Sequence, residues 1–478
     1  QTDINQFTYT HLPVWVTATC DFTRFDDLNT SAGEDVFLNK SSGGIALFTT
    51  VRVAYSRPNF PINDNVIRNL FERNNGRRRT LGEVMQATKN TLSSVYKLGF
   101  CLIGDPAVKM AYPEFGMKVT TVNGQSVDGN SISFKALEKI TVEGEVLDAS
   151  GQLVTDFTGI VNPTVKDSKV TVTCLKNSNK DDSPAFTFTD YPNTIFIGND
   201  SVRNGKFSFT FTVPKDISYS NLQGKMNLYA VDTESGNEAQ GNFDNFIVGG
   251  TSDTAETDTI GPEIRALYLN DTTFVDGGQV NTTPYFVAEL WDKSGVNITG
   301  SSVGHDMMLV IDESTVLSYN LNSYYELLLG EDGTGIVKFP IPALEPGKHT
   351  AEFWVWDILN NSTVRTFTFE VVEGLKPFLF DVIATPGIAR EQVTFHLMHN
   401  RPESRMRVGI MVYDLAGRQL WKHEESGTSG LFENYTVSWD LTSGGARMRP
   451  GVYIYRAAIS TDNSKDATKA RKFIILGE

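Results

Sequence analysis

The chain has 478 residues, 40% apolar and 21% charged, which excludes a largely disordered polypeptide and supplies enough apolar mass for about three domains. Forty-two Lys and Arg against 57 Asp and Glu leave a formal charge of −15, a field that repels a nucleic-acid backbone, so no nucleic-acid partner is expected. No run of 18 apolar residues exists, and three cysteines, Cys20, Cys101 and Cys174, are too few and too uneven for a disulfide framework.

Residues 1–115 read as α/β. His11–Thr19 is an apolar, β-rich run ending at Cys20, and Gly43–Val51 is a second. Near-continuous apolar strands of this kind suit a sheet covered on both faces. Asp64 is placed to cap a helix carrying Val66, Ile67, Leu70 and Phe71. Thr80-Leu81-Gly82-Glu83 is a capping box, followed by a stripe of Leu81, Val84, Met85, Thr88, Leu92 and Val95 at helical spacing. Leu102-Ile103-Gly104-Asp105-Pro106 closes the unit with a turn. Two strands and two helices cannot enclose a doubly covered sheet, so the segment is expected to be the second half of a domain begun upstream of Gln1.

From residue 116 the pattern is all-β: short Val, Ile, Thr, Phe and Tyr runs separated by Gly, Asn, Asp and Pro. Lys139–Gly144 and Val170–Thr173 are examples. Phe207–Val213 alternates strictly, which predicts one wet face. The small, acidic stretch 249–259 marks a boundary. A weak internal repeat matches Leu228–Asn237 with Glu352–Asn361. Each is an alternating strand, then an Asp that folds back on a turn, then Gly or Asn able to take positive φ. Both are expected to form a hairpin at a sandwich edge. The last module, 375–478, carries a strand–tight turn–strand at Val408–Trp421, then Val437–Leu441, Pro450–Arg456 and Lys472–Leu476. The expected domains are therefore 1–115, 116–258, 259–374 and 375–478, an α/β portion followed by immunoglobulin-like sandwich modules.

Cys20 is the candidate nucleophile, because it stands where a buried strand yields to a polar loop, and ligands bind beyond the carboxyl ends of such strands. The competing reading is an inert, buried cysteine. A thiol needs a base. His11 lies at the far end of the same strand, about 30 Å away at roughly 3.3 Å per residue, out of reach. His305, His349, His396, His399 and His423 all fall in the β modules, so the base is expected upstream. His396 and His399 face opposite sides of one strand and have no acidic or thiol companions, which argues against a metal. Cys101 reads as core packing, Cys174 has no assigned role, and Arg77-Arg78-Arg79 reads as a solvated loop. No cofactor is expected. Ca²⁺ at acidic loops such as Asp181-Asp182 or Asp312-Glu313 is considered, but neither has ligand spacing.

Leu12–Phe22, Ser31-Ala32-Gly33-Glu34, Gly43-Gly44-Ile45-Ala46 and Gly104-Asp105-Pro106 resemble the C-terminal half of the gingipain-type cysteine peptidase domain, in the branch that serves type IX secretion as a sortase. Segments 261–264, 294–297 and 304–306, and the tail from Tyr413–Arg418 to Pro450–Arg456, extend the resemblance. It implies a caspase-like fold with a Cys–His dyad, Cys20 as nucleophile through Thr19-Cys20-Asp21, and a His in a Gly-His-Gly-type turn that residues 1–19 lack. It further implies a cell-surface cysteine peptidase or transpeptidase at the outer membrane. Such an enzyme removes the C-terminal signal domain of cargo and transfers the cargo to lipopolysaccharide. Its own C-terminal domain docks to the outer-membrane barrel PorV, and it works with the N-terminal part of the same protein. A gingipain-like secreted protease that is itself cargo shares these features. A non-catalytic multi-module adhesin is the reading from another class.

Overall fold

Residues 46–50 organise the N-terminal part of the protein, which we describe from a computed structural model covering residues 4, 12–39, 42–74, 76–93, 95–176, 184–253, 258–300, 304–328, 334–461 and 463–477. This strand, β2 (Ala46–Thr50), is buried along its whole length. It lies between β1 (Val14–Val16), which runs parallel to it, and β3 (Phe100–Gly104), which runs antiparallel. Ala46 and Phe48 face α2 (Ser56–Phe71) and α3 (Leu81–Thr91), packing on Val66, Leu70, Leu81 and Val84. Leu47 faces the other way, towards Trp15 and Val36 of α1 (Ala32–Leu38). Both sheet faces are covered, which is why β2 carries no polar alternation.

Local signals place the helices unevenly. At α3 the capping box forms: the Thr80 hydroxyl accepts from Glu83 N at 3.3 Å, and the Glu83 carboxylate accepts from Thr80 N at 2.9 Å. Arg77, hydrogen-bonded to the same carboxylate, and the Thr80 N–H hold Glu83 down at a pKa of about 2. Thr80→Ala is expected to cost about 1 kcal/mol, read as a lower midpoint in thermal unfolding, because the Glu83 N–H loses its acceptor. The stripe is buried from Leu81 to Thr88, but Val95 is 73% exposed, because α3 ends at Thr91 and Val95 opens a separate 3₁₀ turn. Asp64 is not a cap. The α2 helix starts at Ser56, continues through Pro61, and leaves Asp64 mid-helix, paired with Arg68 at 2.8 Å. The arginine run is fully paired: Arg77 with Glu83, Arg78 with Glu114 and Arg79 with Glu72.

The chain divides into two units, residues 1–116 with 147–152, and the remainder. The second unit is all β. Its first region differs from a two-sheet sandwich. Strand pairing runs Gly159–Lys166, Asp200–Arg203, Lys206–Thr212, Lys139–Leu147, Phe115–Val122, Glu238–Phe243, Lys225–Asp232, and returns to Gly159–Lys166, so the sheet closes on itself. Lys206–Thr212 alternates buried and exposed positions, as its sequence predicts.

Farther along, two sheets, one built on Glu263–Leu269, Tyr285–Trp291 and Thr334–Pro340 and one on Gly347–Trp356 and Ser362–Val371, share a core around Phe286, Leu309 and Phe353. Residues 379–475 form another such pair of sheets around Phe395, Tyr455 and Phe473. The internal repeat does form two hairpins, in which Asp232 and Asp357 each accept two turn amides. They are not edge hairpins, however. Lys225–Asp232 lies between Gly159–Lys166 and Glu238–Phe243, and Gly347–Trp356 between Ser362–Val371 and Met308–Ile311. Among the described residues no helix is long and apolar enough to cross a membrane.

Candidate active site

β1 is shorter than its sequence implies. It ends at Val16, so Cys20 stands not at the strand end but in a bend four residues farther on. The shift exposes the thiol instead of burying it. Strand geometry still governs its position. Because β1 and β2 are parallel, their carboxyl ends lie side by side, and the chain leaving β2 runs alongside the chain leaving β1. The Cys20 Sγ–H donates to Ala54 O at 2.7 Å.

Three threonines fasten this loop beneath the thiol. The Thr17 hydroxyl donates to Thr49 Oγ1 at 2.9 Å, and Thr23 and Thr49 share a second hydroxyl contact of 2.9 Å. All three are buried, so each hydroxyl needs the others. On the backbone, Thr23 N donates to Thr50 O at the end of β2 and Asp21 N to Arg52 O just beyond it. The turn itself is tight: Asp21 takes φ +48, a left-handed conformation that Asp tolerates better than most residues. The Cys20 N–H bonds to no group among the described residues.

Among the described residues of the first unit there is no histidine to accept the proton. His11, set aside from the sequence on distance, lies outside the described residues, and no other histidine belongs to the first unit. Three of the other five pair with carboxylates in the β regions: His305 with Asp216, His349 with Asp312, and His423 with Glu425. His399 contacts Ser429 Oγ and accepts from Arg401 N, and burial pulls its pKa down to about 4. Cys101 is half-buried in β3, opposite Thr49, and Cys174 is half-buried after Val170–Thr173.

Sequence reasoning missed a cluster of three carboxylates. Asp258, Asp292 and Asp357 bring ligand atoms within 4.8 Å of one another, a set able to hold a cation. Nothing in their spacing signals this, because they come from a linker and two different turns. Of the loops considered for Ca²⁺, Asp181-Asp182 lies outside the described residues, and Asp312 is engaged with His349 and the Thr350 amide. Burial pushes Asp292, 6% exposed, up to a pKa of about 6, and raises fully buried Asp357, despite the turn amides each accepts. A carboxyl raised in the folded state adds stability below its unfolded pKa of 3.8, and that stability fades as pH climbs through 6. In chelator, the melting temperature is therefore expected to rise between pH 7.5 and pH 5. Asp292→Asn is expected to gain about 1–2 kcal/mol at pH 7 and to flatten this slope, as followed by calorimetry. An unchanged slope would remove Asp292 as its source.

Residues 1–111 match the family model described as peptidase family C25. Over that segment the chain is similar to cysteine peptidases of the gingipain type. It is 37% identical to dimeric latent PorU from Porphyromonas gingivalis over 86% of its own length and 39% of that chain, with a TM-score of 0.37. It thus spans about two fifths of the length of that relative. The pro- and mature domains of RgpB from the same organism are 18% identical, over 52% of this chain and 49% of that one, with a TM-score of 0.22. No curated protein matches.

Proposed function

We propose that the chain is part of a cell-surface sortase. This cysteine peptidase and transpeptidase removes the C-terminal signal domain of type IX secretion cargo and passes the cargo to lipopolysaccharide. The observation that carries the chemistry is Cys20: an exposed thiol on a tight, hydroxyl-braced turn beyond the carboxyl ends of two parallel strands, in a segment that matches family C25. The Cys20 thiolate attacks the scissile carbonyl carbon, the C–S bond forms, and the carbonyl electron pair moves to oxygen. Backbone N–H groups hold that oxyanion. Collapse breaks the C–N bond, an imidazolium from the rest of the protein protonates the leaving amine, and a thioester remains. An amine on the lipopolysaccharide then resolves it by transpeptidation, and water by hydrolysis. The chemistry requires no cofactor; Ca²⁺, where it binds, is structural.

The same reading divides the chain into the second half of a caspase-like domain (1–115), a β module whose main sheet closes on itself (116–258), a sandwich-type module (259–374), and an immunoglobulin-like C-terminal domain (375–478). That last domain docks to the barrel PorV on the extracellular face of the outer membrane. The 37% identity to PorU supports the kinship on which this reading rests. Cys20→Ala in the complete protein tests the function, scored by whether surface cargo retains its C-terminal domain.

A further inference from the structure

We infer that Thr50 is a positioning residue that aims the Cys20 N–H at the oxyanion. The inference rests on reading Cys20 as the nucleophile. Thr50 is the last residue of β2 and is buried. Its hydroxyl donates to Thr19 O, on the near side of Cys20, and its own carbonyl accepts from Thr23 N at 3.1 Å, on the far side. One residue therefore clamps both limbs of the turn Cys20-Asp21-Phe22.

The near-side bond has a consequence at the thiol. Thr19 O and Cys20 N–H belong to a single peptide group, which is trans. A trans peptide is planar, and its C=O and N–H point in opposite directions. Fixing Thr19 O onto Thr50 therefore turns the Cys20 N–H away from the end of β2. The neighbouring Asp21 N–H does the reverse and is spent on Arg52 O. The Cys20 N–H, like that of Phe22, has no acceptor among the described residues, and it is the one that belongs to the residue carrying the thiol. An oxygen on a carbon newly bonded to Sγ lies within reach of the amide of the same residue, and such a donor helps most when its direction is set beforehand.

The test separates carbonyl chemistry from simple thiol reactivity. In the full-length protein, Cys20 is acylated with p-nitrophenyl acetate and, separately, alkylated with iodoacetamide, and the background is taken from Cys20→Ala. Acylation forms the S–C bond, passes through an oxyanion, and expels p-nitrophenolate with the C–O electron pair. Alkylation forms an S–C bond and expels iodide without any oxyanion. Thr50→Val keeps the shape and the backbone bond but removes the hydroxyl. It is expected to slow acylation about tenfold, a fraction of what loss of a whole oxyanion donor costs, and to leave alkylation within twofold. Thr50→Ser is expected to restore acylation. Equal rates for both reagents in Thr50→Val, a parallel fall in both, or a selective fall that Ser does not rescue would each overturn the assignment. The cargo assay with Cys20→Ala reports on the nucleophile independently, so failure here leaves that reading intact.

Discussion

Replacing Cys20 with alanine is expected to leave a folded protein that no longer processes cargo, with turnover down by roughly 10⁴-fold or more, as for loss of other covalent nucleophiles. The stability half of that expectation follows from position. Cys20 is exposed, and its one side-chain bond, to Ala54 O, is from a weak thiol donor. The bracing hydroxyls of Thr17, Thr23 and Thr49 do not pass through it. The melting temperature should therefore stay within a degree or two, and cargo should accumulate with its C-terminal domain still attached. Unaltered cargo from a stable Cys20→Ala protein would leave the chain as a non-catalytic surface array.

Much of this site was legible in sequence because it depends on local patterns. A doubly buried strand announces itself as a run without charged residues, and β2, Ala46-Leu47-Phe48-Thr49-Thr50, is one. A capping box needs four residues, and Thr80–Glu83 supply them. Other features rest on distant parts of the chain. The β-rich run before Cys20 continues three residues beyond Val16, but pairing stops where parallel register with β2 gives way to side-chain bonds among threonines. Asp64 has a good cap's chemistry, yet tertiary packing of Ile62 and Val66 extends α2 past it. Asp258, Asp292 and Asp357 converge only after two sheets stack, so no linear spacing betrays them. Hairpins, being local, were readable from the repeat at Asp232 and Asp357. Their place in mid-sheet was not, because lateral strand order is set by long-range pairing.

Gly33→Ala is expected to be among the most damaging single methyl additions near the site. Gly33 is the second residue of α1, where its N–H donates to Phe22 O at 2.7 Å and holds the helix against the Cys20 loop. A Cβ there would sit 1.8 Å from Thr23 Oγ1 and 2.7 Å from Thr23 Cβ, well inside contact distance. Thr23 cannot yield freely, since it is buried and bonded through its hydroxyl to Thr49 and through its amide to Thr50. Overpacking a close-packed site of this kind costs about 2–3 kcal/mol. The strain falls on the limb that leaves Cys20, so iodoacetamide reactivity of the thiol should change together with the melting temperature. Adding Thr23→Gly removes every side-chain atom in the clash while keeping the backbone bonds. The double variant should then melt higher than the summed single costs predict, the signature of two residues in direct contact. A Gly33→Ala protein with wild-type melting and thiol reactivity would mean that α1 does not press on the loop, and the bracing described for Cys20 would fail with it.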